Sequence, residues 1–290
     1  MEVRRNIAYG EEPEQLLDVY MAERADKMLV FFHGGGLESG TKEENADAFH
    51  VLAQNGVNVV SVEYRMYPRA GYPDFIEDGA RAAGWVSRNA IAKASNHAIA
   101  KASNHAIAKA SNHAIAKASN HAIAKASNHA IAKASRIAKE QGLPLYVGGS
   151  SAGAYIAMML AFDPSYLKPY GIDKIHGYIF DAGQPTTHFR VLKERGFDPR
   201  RIVVDSAAPL YHVGTVGEVP PILILAADND ISGRVEQLSL LAKTLEDFGH
   251  RNVTFRVLEG FSHCGYCHAD DGEGNLFYPK ILLDFLNRQE

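Results

Sequence analysis

Short apolar runs alternate with helical spacings along most of this chain. Met28 to Phe32, Val57 to Glu63, Leu143 to Val147, His176 to Asp181, Pro220 to Ala227 and Asn252 to Leu258 each read as a buried strand. Between them the pattern predicts helices over Lys42 to Asn55, about Asp74 to Gln141, Ala152 to Ala161, Gly233 to Phe248 and Leu276 to Asn287. Pro73 followed by Asp74, Glu77 and Asp78 is a helix start, with carboxylates near the positive end of the dipole. Residues 1–26 alternate weakly (Val3 to Tyr9, then Leu16 to Met21) and predict an opening antiparallel pair. Strands alternating with helices argue for an α/β fold with a mostly parallel, doubly wound sheet, covered on both faces. One stretch breaks the rhythm. Ala182 to Gly217 has few periodic signals and several turn formers. It is expected to be a lid or substrate wall over 182–217, or an ordinary surface excursion.

At Ala90 the octapeptide Ala-Ile-Ala-Lys-Ala-Ser-Asn-His begins and runs five times without a substitution, to His129; a partial sixth copy ends at Ser135. Identical copies point to a recent or engineered expansion, since repeat folds use units of about 20–50 residues that each bury a face. The composition favours helix. Eight residues turn a helix by about 800°, so each copy is rotated by roughly 80° from the last and Ile91, Ile99, Ile107, Ile115 and Ile123 never form a seam. A continuous helix would be about 100 Å long, against a radius of gyration of about 18 Å for a 250-residue domain. The 90–135 insertion is therefore expected to project as a long helix, with self-association through its exposed Ile and Ala. The histidines recur too far apart, and at changing azimuth, to hold a metal.

At 290 residues the chain can bury a full core, and 46% hydrophobic with 22% charged residues is ordinary for a globular enzyme. A net charge of −4 gives no reason to expect nucleic acid or an anionic membrane as partner. No apolar run reaches the roughly 18 residues of a bilayer span, and the start of the chain lacks a signal-peptide core. Two cysteines cannot make a disulfide framework, so a cytoplasmic location is expected.

Candidate chemistry sits where strands end. The run Leu143 to Val147 feeds Gly149-Ser150-Ser151-Ala152-Gly153, followed by an Ala/Met-rich helical pattern. Strand, Gly-x-Ser-x-Gly, helix is the context of a nucleophile elbow, with Ser151 lifted above the sheet. Met28 to Phe32 runs into His33-Gly34-Gly35-Gly36, whose N–H groups are free to face a developing oxyanion. A serine hydroxyl needs an imidazole to take its proton, and the imidazole needs a carboxylate to fix its tautomer. In the order Ser, Asp after a strand, His after the last strand, those residues are Ser151, Asp230 and His263, with Asp228 expected to cap its turn instead.

His33-Gly-Gly-Gly36, Gly149-Ser-Ser151-Ala-Gly153 and Val62-Glu-Tyr-Arg-Met-Tyr-Pro68 together resemble the hormone-sensitive-lipase-like carboxylesterases and neighbouring small bacterial esterases. The resemblance covers nearly all of the chain outside the repeat. It implies an eight-stranded α/β-hydrolase fold in a single domain over 1–290, no cofactor or metal, and hydrolysis of short-chain carboxylic esters through an acyl-enzyme. By the same resemblance the backbone N–H groups of Gly35, Gly36 and Ala152 form the oxyanion hole. Leu37, Gln184 and His188 are the expected substrate contacts. The chain departs from the family at Ser150, where an acid is usual, at Leu37, where an aromatic is common, and in lacking room for a large N-terminal cap before Gly34. These departures bear on acyl preference and lid. Acetyl-xylan or feruloyl esterases and arylformamidases remain alternatives, as does a non-catalytic binding or assembly protein on the same fold. Cys264-Gly-Tyr-Cys267-His268 matches a haem-attachment signature and offers zinc ligands with His263. Its position on the turn of the candidate base favours a redox-sensitive thiol pair instead.

Overall fold

The computed structural model describes residues 2–89, 143–172 and 174–288. The chain divides into two compact units, Met1–Trp85 with Pro144–Glu290, and Val86–Leu143. The expected octapeptide helix, with its projection and self-association, lies outside the described residues.

The first unit is built on one sheet of eight strands: β1 (Glu2–Ala8), β2 (Leu16–Met21), β3 (Lys27–Phe32), β4 (Val57–Val62), β5 (Leu145–Ser150), β6 (Gly177–Asp181), β7 (Ile222–Asn229) and β8 (Val253–Ser262). Their order across the sheet is β1-β2-β4-β3-β5-β6-β7-β8. The first two strands pair antiparallel, as their weak alternation predicts, and β2 joins β4 antiparallel. All pairings from β4 to β8 are parallel. The central strands β3, β5 and β6 are buried along their whole length, which is why they read as continuous apolar runs.

Helices cover both faces. On one, Leu29 and Phe31 join a core with Phe49 and Leu52 of α1 (Ala46–Gln54) and, from the last helix, Tyr278, Leu282 and Phe285. On the other, Phe32 meets Ile156 at Gly79, which belongs to α2, a helix described over 74–89. Ile156 lies on α3 (Ala152–Phe162), a helix buried on every side between sheet and neighbours. Then follow α4 (Phe189–Glu194), α5 (Pro209–His212), α6 (Arg234–Asp247) and α7 (Phe277–Asn287).

Two boundaries differ from the sequence reading for physical reasons. The first helix starts at Ala46, because Lys42 is drawn into the fold: its N–H donates to Glu63 and its carbonyl accepts from the Ser61 hydroxyl (2.6 Å). The last strand runs on through Glu259-Gly260 to Ser262, paired to Asn229 across a register shift. That extension matters, since Asn229 opposite Ser262 sets residues 230 and 263 side by side. The region 182–217 is mostly irregular, as expected, but carries α4 and α5.

Candidate active site

Parallel strands deliver their C-terminal ends to one edge, and the candidate groups gather there. Ser151 occupies the single residue between β5 and α3, at φ 52° and ψ −111°. A non-glycine residue at positive φ persists only where its surroundings over-determine it. Here they do. A Cβ on Gly149 would fall 2.4 Å from the Gly153 carbonyl carbon, and one on Gly153 would fall 2.0 Å from the Phe32 carbonyl oxygen. Both flanking glycines are demanded by this close approach of backbone to backbone.

His263 Nε2 lies 2.8 Å from Ser151 Oγ, and His263 Nδ1 lies 2.6 Å from Asp230 Oδ1. The Asp230 carboxylate also accepts from the N–H groups of Ile231 (2.7 Å) and Ala227 (3.3 Å). Burial opposes its charge, but these hydrogen bonds, led by the one to His263, outweigh burial and hold Asp230 below the usual carboxylate range. Burial likewise pushes the His263 imidazolium down; hydrogen bonds with Asp230 and Cys264 overcome it and raise His263 above the ordinary histidine value. Asp228 does different work. Its Oδ1 accepts from the N–H of Asn229 (2.9 Å) and of Phe261 (3.1 Å), tying the ends of β7 and β8 together.

The glycine run lies opposite Ser151. The Gly34 carbonyl accepts from His33 Nδ1 (2.7 Å) and the Tyr64 hydroxyl (3.3 Å), while the Gly35 carbonyl accepts from the N–H groups of Glu38 (3.1 Å) and Ser39 (3.0 Å). In a trans peptide the N–H points away from the carbonyl of the same unit. The Gly35 and Gly36 N–H groups are therefore turned away from those partners, in the wall of the cavity that holds Ser151. Ala152 is the first residue of α3, and the opening N–H groups of a helix have no partner within it.

The His33 ring stacks on Tyr64, 4.4 Å between centroids, and its Nε2 faces Glu63 Oε1 at 3.2 Å. The loop is thus strapped by contacts among His33, Tyr64 and Glu63, which join the two motifs.

The cavity has a volume of about 370 Å³. Its wall is not the one expected. Leu37 is fully buried beneath the loop at φ 64°, Gln184 spends its amide on Thr186 Oγ1 and the Thr187 carbonyl, and His188 caps α4 by accepting from the Arg190 N–H. None of the three lines the cavity. His188 is fully buried; burial first, then Arg234 and Arg190, lowers it to about 3, so the ring stays neutral. In their place stand Glu44, Asn45, Phe189, Ile231 and His268. Phe189 packs its ring against Gly36.

Cys264 and Cys267 are free thiols at the cavity edge, joined by a turn in which the Cys267 N–H donates to the Cys264 carbonyl (3.0 Å). Their mutual hydrogen bond lowers Cys264 and raises Cys267. Among the described residues no group of three His, Cys, Asp or Glu side chains could hold a metal ion, and no helix is long and apolar enough to cross a membrane.

A sheet in this order, carrying a serine on a strained strand–helix turn beside a histidine and an aspartate, defines the class of α/β hydrolases. A family model described as the alpha/beta hydrolase fold matches residues 29–267, and the chain belongs to that family. The isoprenylcysteine alpha-carbonyl methylesterase ICME of Arabidopsis thaliana is 30% identical over 94 residues, 31% of this chain and 22% of the relative. Esterase LipC of Mycobacterium tuberculosis is 33% identical over 91 residues, 30% of this chain and 23% of the relative. The chain thus matches only about a fifth of the length of such relatives. Among solved structures, the propionate-bound esterase Est2 of Thermogutta terrifontis aligns with 99% of this chain and 93% of its own, at TM-score 0.64 and 17% identity. Esterase B of Lactobacillus rhamnosis aligns at TM-score 0.66 and 15% identity, over 99% and 86% of the two chains. At such identities the likeness is one of fold.

Proposed function

We propose that this protein is a serine carboxylesterase that hydrolyses short-chain or otherwise small acyl esters. The observation that carries this reading is the unbroken chain Ser151 Oγ, His263 Nε2, His263 Nδ1, Asp230 Oδ1, with contacts of 2.8 and 2.6 Å. Ser151 Oγ attacks the ester carbonyl carbon while His263 takes its proton. Asp230 holds the imidazole as the Nδ1–H tautomer and stabilises the imidazolium. Negative charge gathers on the carbonyl oxygen, where the N–H groups of Gly35, Gly36 and Ala152 receive it, each worth roughly 2.7–4 kcal/mol of barrier. The carbon–oxygen bond to the alcohol then breaks, and His263 returns the proton to the leaving alkoxide. Water, deprotonated by the same imidazole, repeats the attack on the acyl-enzyme and releases the acid. The esterase names of the relatives support this reading, as does propionate bound to a structural neighbour. A cavity of about 370 Å³ favours a small acyl or alcohol group.

The deciding experiment is reaction of the purified protein with a fluorophosphonate, followed by mass spectrometry of the labelled peptide. One adduct on Ser151, lost in His263→Ala, is the expected result. A folded protein that takes no label is a binding module on a hydrolase fold.

A pH dependence follows from the raised His263. The base must be neutral to accept a proton, so activity is lost as pH falls through its folded pKa. The acid limb of kcat/KM is expected above about 6.5, the ordinary histidine value. Cys264→Ala removes one of the groups that raise His263 and should move the limb to lower pH. An acid limb at or below about pH 6 in the wild type would contradict this assignment.

A further inference from the structure

We infer that Asp181 is a positioning residue that clamps the Ser151 elbow to the His263 turn, holding nucleophile and base at their working separation. The inference rests on the esterase reading above. Asp181 ends β6, opposite Ser150 in the parallel register, and is completely buried. Its Oδ2 accepts from the Ser150 hydroxyl (2.5 Å) and the Tyr278 hydroxyl (3.0 Å), with Cys267 Sγ at 3.6 Å. Its Oδ1 accepts from the Tyr266 hydroxyl. One carboxylate therefore grips the residue before the nucleophile and two residues just after the base. The main chain adds a further tie, since the Ser151 N–H donates to the Asp181 carbonyl at 2.7 Å.

Two features single this group out from ordinary packing. The first is its chemistry. Four donors face the Asp181 carboxyl, none of them cationic, and burial, opposed by those hydrogen bonds, pushes it above the usual carboxylate range. No salt bridge reaches Asp181 among the described residues. A buried acid without a counter-ion is costly compared with an apolar side chain of its size, so sheet packing alone gives no reason for it.

The second is backbone strain. Five non-glycine residues have positive φ among those described, and three of them, Ser151, Ala182 and Cys264, flank Asp181 or the residues it holds. Ser151 and Cys264 are the strained positions of the two turns that must keep Ser151 Oγ and His263 Nε2 in contact. A strained turn persists when several bonds fix it from outside. Asp181 supplies those bonds to both turns at once, from beneath the cavity and without lining it.

The test measures kcat and KM on p-nitrophenyl acetate, together with the rate of fluorophosphonate labelling. Asp181→Asn turns an amide N–H₂ toward hydroxyl donors and loosens both turns. A displacement of about 1 Å between reacting groups costs on the order of 100-fold, so kcat and labelling rate should fall together by about that factor while KM changes by less than about threefold. Ser150→Ala and Tyr266→Phe each release one side of the clamp. Each should lower kcat by about tenfold, and the double variant should cost little more than the worse single one, because both act through the same carboxylate. Thermal melts identify the variants that are folded under assay conditions.

If Asp181→Asn does not fold, the Ser150/Tyr266 cycle decides the matter alone. A folded Asp181→Asn with wild-type kcat, or single-variant losses that simply multiply, would overturn the inference. Wild-type protein that takes no label would take down the esterase reading and this inference together. Wild-type labelling with an indifferent Asp181→Asn removes only the clamp.

Discussion

Replacing Ser151 by alanine is expected to lower kcat on a short-chain ester by about 10⁴- to 10⁶-fold. The size follows from what remains. Alanine keeps the Cβ that already stands at φ 52°, so the elbow and its packing on Gly149 and Gly153 persist. The proposed oxyanion donors and the cavity persist as well, and they would sustain the residual rate. What disappears is the only hydroxyl hydrogen-bonded to His263 Nε2 among the described residues. Ser150 cannot stand in, since its hydroxyl is spent on Asp181. His263→Ala should cost about as much, and the pair together little more than either, because nucleophile and base act as one unit. Initial rates on p-nitrophenyl acetate, with covalent labelling as a check on active-site content, measure this directly. Retention of more than about a hundredth of the wild-type rate by pure Ser151→Ala would remove Ser151 from the nucleophile's role.

The features legible in the sequence are those whose cause is local. Gly149-x-Ser151-x-Gly153 announces itself because backbone contact tolerates no Cβ at either glycine, and the strand before it and helix after it are contiguous in the chain. After β3 the same holds for Gly35, where a Cβ would fall 1.9 Å from the Ser39 carbonyl oxygen. The meeting of Asp230 with His263 needed one long-range fact, the register of β7 against β8, and chain order alone was enough to anticipate it.

The wall of the cavity was not legible. Glu44 and Asn45 precede α1, Phe189 opens α4, and Ile231 and His268 lie on two further loops, so nothing local marks these four places as neighbours. Gln184 and His188 misled because polar side chains in an irregular segment look available. In the fold they satisfy their own loop, and a buried polar group takes the partners nearest it. Asp181 reads in sequence only as the polar end of a strand. Its partners Ser150, Tyr266 and Tyr278 stand 31, 85 and 97 residues away, so its role exists only after folding. The departure at Ser150 gains a physical reading from this: the hydroxyl there connects the elbow to a carboxylate on the next strand.

Asp230→Asn is expected to lower kcat by about 10⁴-fold, while Asp228→Asn should stay within about tenfold of wild type. The two aspartates are separated by a single residue, and the difference lies in what each carboxylate accepts. Asp230 Oδ1 takes both His263 Nδ1 and the Ile231 N–H, and Oδ2 faces the Ala227 N–H. An asparagine must turn its amide N–H₂ toward one of these donors. If it faces His263, the imidazole is driven to the other tautomer, its Nε2 carries the proton, and it cannot accept one from Ser151. If it faces Ala227, two donors oppose each other and the side chain loses its grip on the ring. Either way the charge that stabilises the imidazolium is gone. Asp228 Oδ1, by contrast, accepts from Asn229 and Phe261 N–H groups, and an asparagine oxygen can keep both bonds. Ordinary kinetics on the two variants, with fold checked by circular dichroism, separates the cases. A 10⁴-fold loss in Asp228→Asn with a nearly normal Asp230→Asn would mean that the imidazole is oriented from the other carboxylate, and that the 2.6 Å contact to Asp230 is packing and not chemistry.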